Sequence, residues 1–403
     1  MTDAVPAGFP AAPAAHDGSA PLIHFLALGG TIASVPADSG NAGVTPQVGA
    51  EAIAAAARLD TLPGTGLAGG PGPELLGPEG APAGGVRVTF EQIAQVGSGA
   101  ITLDHLARVV RATRRAAAAG ARAVVLTQGT DTLEESAFAL SVMNDAGIPI
   151  VLTGAMRGPS LPGADGPANV RAAVVTALDE QMSFLPAVLV FNDEVHDPTF
   201  VRKAHASSAS TFTSGPAAGP LGWVSEDRLV LAHMPARVPS PFGVPEQEPG
   251  PEGAAGAGVN GATALGEPGT ELPEITGRGT YPDVALIEVG MGESLKLLSY
   301  LPDAGYAGAV IAGVGGGHVP FWALDEVEAL AKRVPVVYAS RTGSGRTLES
   351  TYGYPGSELD LQRLGLIPAG FVDARKARLL LTLALAAGAE PEQIAQVFAF
   401  FRG

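Results

Sequence analysis

Cysteine is missing from all 403 positions, which excludes disulfides, thiolate nucleophiles and cysteine-ligated metal at once and leaves no mark of redox compartment. Basic residues are scarce. Against 40 Asp and Glu stand 24 Lys and Arg, a formal charge of −16 at pH 7. A nucleic-acid or anionic-membrane surface needs a concentrated basic face, so neither partner is expected, and the acid excess reads as solubility. Long apolar runs are absent too, none approaching the roughly 18 residues of a membrane span. The opening "MTDAVPAGFPAAPAAHDGSAP" has no basic n-region and four prolines, so it predicts a disordered tail over 1–20 and no signal peptide; a soluble cytoplasmic protein is expected.

What is plentiful is apolar chain and loop. Hydrophobic residues make up 46%, with 54 Gly and 34 Pro, a composition that suits an α/β protein with many loops. The length exceeds one compact core, so two domains are expected. From Leu22 to about Asn192 one grammar repeats: a short β-rich run, then Gly, Thr or Asn, then an alanine-rich helical stretch. That alternation predicts a parallel sheet, with strands at Leu22–Leu28, Ala123–Gln128, Pro149–Ala155 and Ala187–Asp193, and helices in "EAIAAAARL" and "LDHLARVVRATRRAAAAG". Two Gly/Pro-rich segments interrupt it, a surface loop at Leu62–Gly85 and an interdomain linker at 239–276. The expected domains are 21–238, which is larger, and 277–403, a smaller α/β unit built from "VALIEVG", "GAVIAGVGGGHVP", "VPVVYASRTGSG" and three helical stretches.

In open parallel sheets ligands sit beyond the carboxyl ends of the strands, so the residues after each strand carry the search. "FLALGGTIAS" stops at Gly29 and Gly30 and presents Thr31; "LTQGTDTLEES" presents Thr130 and Asp131, with Thr132 and Glu135 spaced as a capping box. For Thr130 and Asp131 a ligand-facing role and a structural one stand level on spacing alone. Lys203, among Ser207, Ser208, Ser210 and Thr211, has the setting of a partly buried lysine tuned by a carboxylate, though a lone lysine is more often a surface one. Asp193, His196 and Asp197 are metal-ligand types, but with no second cluster they predict an ordinary loop, and no metal or cofactor is expected. Two strand-end threonines, an aspartate and a lysine together supply an activated hydroxyl nucleophile with an acid/base relay.

The segments "LGGTIAS", "TQGTDTLEESAFAL", "VLTGAMRGPSLPGADGPANVRAAV", "VRKAHASSASTF", "GPLGWV" and "KARLLLTLALA" resemble the bacterial L-asparaginase and glutaminase-asparaginase family, from Leu22 to Phe401 apart from the two inserts. The resemblance implies a two-domain asparaginase-like α/β fold and hydrolysis of L-asparagine to L-aspartate and ammonia, with glutamine as a secondary substrate. It implies that Thr31 attacks the side-chain amide and forms an acyl-enzyme, and that Thr130, Asp131 and Lys203 relay protons. Ser98 is implied to hold the substrate α-carboxylate and Asp131 the α-ammonium, with Thr130 and Ala155, in the "TGAM" turn, completing the substrate-binding set.

Three departures from the family pattern stand out. Residues Val35–Pro46 contain no tyrosine where the family usually carries one on a mobile loop, and none occurs before Tyr281; Gly99 replaces a frequent glutamine and Gln128 a common histidine. The resemblance further implies a homodimer or homotetramer with sites completed at subunit interfaces. "GVGGGHVP", with His318, and "SRTGSGRTLESTYGYPG", with Tyr352 and Tyr354, are the segments expected to contribute; a structural role for His318 is equally open. Two alternatives remain: an ammonia-supplying subunit of a tRNA-dependent amidotransferase, and a catalytically weak amino-acid-binding homologue.

Overall fold

Apolar strands alternating with helices have to bury both sheet faces, and they do so in two separate units, 1–240 and 241–403. The structure, a computed structural model, describes residues 21–29, 34–36, 44–46, 56–59, 62, 86–235, 242–244, 246 and 281–402. Thr31, the expected tail over 1–20, nearly all of the Leu62–Gly85 insert and most of 239–276 lie outside the described residues, as does most of the helix expected in "EAIAAAARL".

The first unit runs β1 (Leu22–Ala27), a small antiparallel pair β2 (Ser34–Pro36) and β3 (Val44–Pro46), then β4 (Arg87–Gln92), α1 (Leu103–Ala118), β5 (Ala121–Thr127), α2 (Leu133–Met143), β6 (Ile150–Thr153), α3 (Gly166–Leu178), β7 (Ala187–Phe191), β8 (Glu194–His196), β9 (Arg202–Lys203), β10 (Phe212–Thr213), β11 (Gly222–Ser225) and β12 (Arg228–Leu231). Eight strands form one sheet in the order β12-β11-β8-β7-β6-β5-β1-β4. From β7 to β4 all pairings are parallel, whereas β8, β11 and β12 add an antiparallel edge. The sheet is therefore mostly parallel rather than wholly so. Strand β4 has no counterpart in the sequence-based expectation, because "RVTFEQ" is a polar edge strand that is largely exposed. The order turns back at β1, with β4 on one side and β5 to β7 on the other, and in open sheets it is beyond the carboxyl ends at such a switch point that ligands bind.

Burial explains the central strands. All the residues of β5, β6 and β7 except Arg122 are buried, and with Phe25, Val170 and Val174 the inward faces make a continuous core. Each fully buried Val, Leu or Ile contributes about 1.5–3 kcal/mol relative to exposure. Helix α1 is capped at Thr102, whose Oγ1 accepts from the His105 backbone while the His105 ring accepts from Thr102 N at 3.1 Å.

The second unit has one all-parallel sheet, β13 (Val284–Glu288), β14 (Gly308–Gly313), β15 (Val336–Ser340) and β16 (Ile367–Pro368), in that order. Its helices are α4 (Leu324–Ala331), α5 (Glu358–Arg363), α6 (Ala374–Ala386) and α7 (Pro391–Ala399). Helix α6, capped by the Asp373 carboxylate, packs across β13, β14 and β15 and buries Leu380, Leu381 and Leu383.

Candidate active site at the carboxyl edge of the first sheet

Three strand ends deliver the polar residues. Beyond β1 the chain turns at Gly29, which holds φ +96°, and a Cβ there would sit 2.8 Å from Val96 O and 2.9 Å from Val96 N. Only glycine fits, and because it does, Val96 N bonds to Leu28 O at 3.0 Å and the segment after β4 closes across the exit of β1. That closure carries Ser98 to the edge. After β5, Gly129 leads into a single 3-10 turn, Thr130–Thr132, that precedes α2. After β6, Gly154 approaches so closely that a Cβ would lie 2.5 Å from Gln128 O, and Ala155 and Met156 follow.

Ser98, Thr130, Asp131 and Lys203 come together. Lys203 Nζ donates to Asp131 Oδ1 at 2.7 Å and to Thr130 Oγ1 at 2.9 Å. Ser98 Oγ donates to Asp131 Oδ2 at 2.9 Å, and Asp131 N donates back to Ser98 Oγ at 3.2 Å. The Lys203 donation, and then the Ser98 one, hold the Asp131 carboxyl below its ordinary value against a smaller effect of burial. The Lys203 side chain is 12% exposed and that of Asp131 72%, so the ammonium is sunk in the protein while the carboxylate faces solvent. The arrangement offers a fixed anion to a ligand ammonium and a lysine–threonine pair able to pass a proton.

Lys203 is set by the β9–β10 ribbon, in which it pairs with Phe212. The small hydroxylated neighbours serve the turn: His205 Nδ1 accepts from Ser207 N and Ser208 N, and Thr211 Oγ1 donates to His205 O. The capping box expected of Thr132 and Glu135 does not form. The 3-10 turn rotates the Thr132 hydroxyl away from the helix, and it donates to Ser98 O at 2.9 Å. Sequence reasoning missed Met156, whose Sδ accepts from Thr130 Oγ1 at 3.3 Å, and Asp165, which accepts from Met156 N and Arg157 N at 2.9 and 2.8 Å. The signal for Asp165 was present in "GADGPAN", which reads as a helix start.

Comparison with known proteins decides the family. Residues 22–237 match the family described as "Asparaginase, N-terminal" and residues 283–398 the "Glutaminase/Asparaginase C-terminal domain". The chain belongs to the asparaginase family. It is 34% identical over 387 residues to the probable L-asparaginase of Deinococcus radiodurans, covering 94% of this chain and 98% of that one. With L-asparaginase 2 of Escherichia coli it shares 32% over 278 residues, 68% and 69% of the two chains. The crystal structure of a probable cytoplasmic L-asparaginase from Campylobacter jejuni superposes with a TM-score of 0.69 at 23% identity, over 94% of this chain and 99% of that one.

In this asparaginase the departures noted in the sequence have distinct settings. Gly99 is open, with nothing within 4 Å of a Cβ placed there. Gln128 is wholly buried, and its Oε1, like Thr127 Oγ1, has no hydrogen-bond partner among the described residues. Ala155 is fully buried. In the second unit His318 Nδ1 meets Tyr354 Oη at 2.7 Å and His318 Nε2 lies 2.9 Å from the buried Glu358 carboxylate, with Tyr352 edge-on to the imidazole. His196 is buried against Ser214 Oγ at 3.0 Å; burial pushes it down to about 4, which marks a neutral core histidine. Among the described residues no group of three His, Cys, Asp or Glu is placed to hold a metal, and no helix is long and apolar enough to cross a membrane.

Proposed function

We propose that this chain hydrolyses L-asparagine to L-aspartate and ammonia through an acyl-enzyme on Thr31, with glutamine as a secondary substrate. The observation that carries the reading is the Lys203–Thr130–Asp131–Ser98 cluster, set at the carboxyl edge that β1 shares with β5. Leu28 N bonds Thr127 O at 2.9 Å, which holds the exit of β1 beside that of β5. Thr31 Oγ attacks the amide carbon, its hydroxyl proton passes to the leaving nitrogen, and the C–N bond breaks to release ammonia. Water held by Thr130 then attacks the ester, the acyl C–O bond breaks, its proton returns to Thr31 Oγ and aspartate is freed. Asp131 receives the α-ammonium, Ser98 the α-carboxylate, and the turn at Ala155 the reacting amide.

The names of the relatives support asparagine as the substrate. The same reading takes 21–238 and 277–403 as the two domains, with 239–276 between them, in keeping with the two matched regions. It includes a homodimer or homotetramer in which His318, Tyr352 and Tyr354 of one copy serve the site of another. It also includes a cytoplasmic location, in line with the name of the Campylobacter jejuni protein.

Ammonia release from free asparagine and glutamine, with Thr31→Ala as the control and sedimentation run alongside, tests the proposal. The expected result is release from asparagine by an oligomer and its loss in Thr31→Ala. Turnover of neither free amide would sink the hydrolase in favour of a binding homologue or an amidotransferase subunit, and a fully active monomer would remove the shared site.

A further inference from the structure

The Thr130 hydroxyl has one hydrogen, and its direction is settled by its neighbours. Lys203 Nζ, which only donates, occupies an oxygen lone pair at 2.9 Å, and the hydrogen goes to Met156 Sδ at 3.3 Å. Several features hold the sulfur there. Asn169 Nδ2 donates to Gly154 O at 2.9 Å, and the Asp165 carboxylate takes both Met156 N and Arg157 N. Gly154 lacks the Cβ that would strike Gln128 O, so the two strand ends stay close. A thioether is the weakest acceptor in this cluster, so it keeps the hydrogen in place yet yields it to any better acceptor that enters.

We propose that Met156 is a positioning residue for the amide hydrolysis and a peroxide-sensitive modification site: its thioether parks the Thr130 hydrogen, and its sulfoxide retains that hydrogen and stops turnover. In the modification the peroxide O–O bond breaks, one oxygen bonds to sulfur, sulfur is oxidised by two electrons and water leaves. The resulting S–O oxygen is a strong acceptor. No cysteine competes for the oxidant. Met156 is partly exposed and takes the Thr130 hydrogen bond, Met143 and Met182 are buried, and Met234 and Met291 are exposed.

The inference rests on the asparaginase reading. Its test measures kcat and KM for asparagine with wild type, Met156→Leu and Met156→Gln, before and after hydrogen peroxide, and maps sulfoxide by peptide mass. Leucine conserves volume and removes the acceptor, so kcat should fall about fivefold with KM steady. Glutamine supplies a strong acceptor and should cost about tenfold or more in kcat. Peroxide should inactivate wild type in step with oxidation of the Met156 peptide, spare Met156→Leu, and be reversed by methionine sulfoxide reductase. Both variants at wild-type kcat, or equal peroxide sensitivity of wild type and Met156→Leu, would overturn the inference while leaving an active asparaginase. A wild type without asparagine turnover would instead remove the reading beneath it.

Discussion

Lys203 is the residue on which the cluster turns, since one ammonium sets both the Asp131 charge and the orientation of the Thr130 hydroxyl. Lys203→Met should raise the Asp131 carboxyl toward its ordinary value and lower kcat about a hundredfold or more, because it removes a general acid/base partner. An NMR titration of Asp131 beside steady-state kinetics checks both, and an unmoved carboxyl with unchanged kcat would refute the role. At this scale much of the cluster was legible in the sequence. Thr130 and Asp131 follow a glycine after an apolar run, a position that sheet topology makes informative. Met156 was not legible, because a methionine near a strand end has the look of core. At Asp165 the helix start was readable, but not that its oxygens bond the backbone of a loop earlier in the chain.

Among the elements, the parallel strands were readable because burial on both faces makes them continuously apolar. Strand β4 and the antiparallel edge were not, since their residues are polar on exposed faces and resemble loop. The β7–β8 hairpin shows what the composition conceals. Its two-residue turn, Asn192–Asp193, has both φ values positive, and it sends His196 back into the core. Glu194 Oε2 lies 3.4 Å from His196 Nε2 without hydrogen-bond geometry, and burial outweighs it. The folded value of about 4 lies below the unfolded value of 6.5, so between these limits the unfolded chain binds more protons. Stability therefore rises with pH across that window and is lost on acidification, by up to about 3 kcal/mol. Chemical denaturation across the window should show this slope in wild type and a flatter one in His196→Asn; matching slopes would contradict the assignment.

For the whole molecule, two α/β units match two family regions in order, and the motifs that reveal the family are the strand-to-loop transitions that shape the first sheet's carboxyl edge. The Gly/Pro-rich inserts carry no such motif, which is why they stood out in the sequence as interruptions. Net charge −16 and the lack of cysteine fit an amidohydrolase whose described polar cluster holds hydroxyl, carboxylate and ammonium groups. The central claim, that Thr31 carries the acyl group, is tested most directly by acid-quenching the enzyme during asparagine turnover and mapping covalent adducts by peptide mass. The account predicts a β-aspartyl ester on the peptide containing Thr31, lost in Thr31→Ala together with turnover. An adduct on the Thr130 peptide, or undiminished turnover in Thr31→Ala, would contradict it.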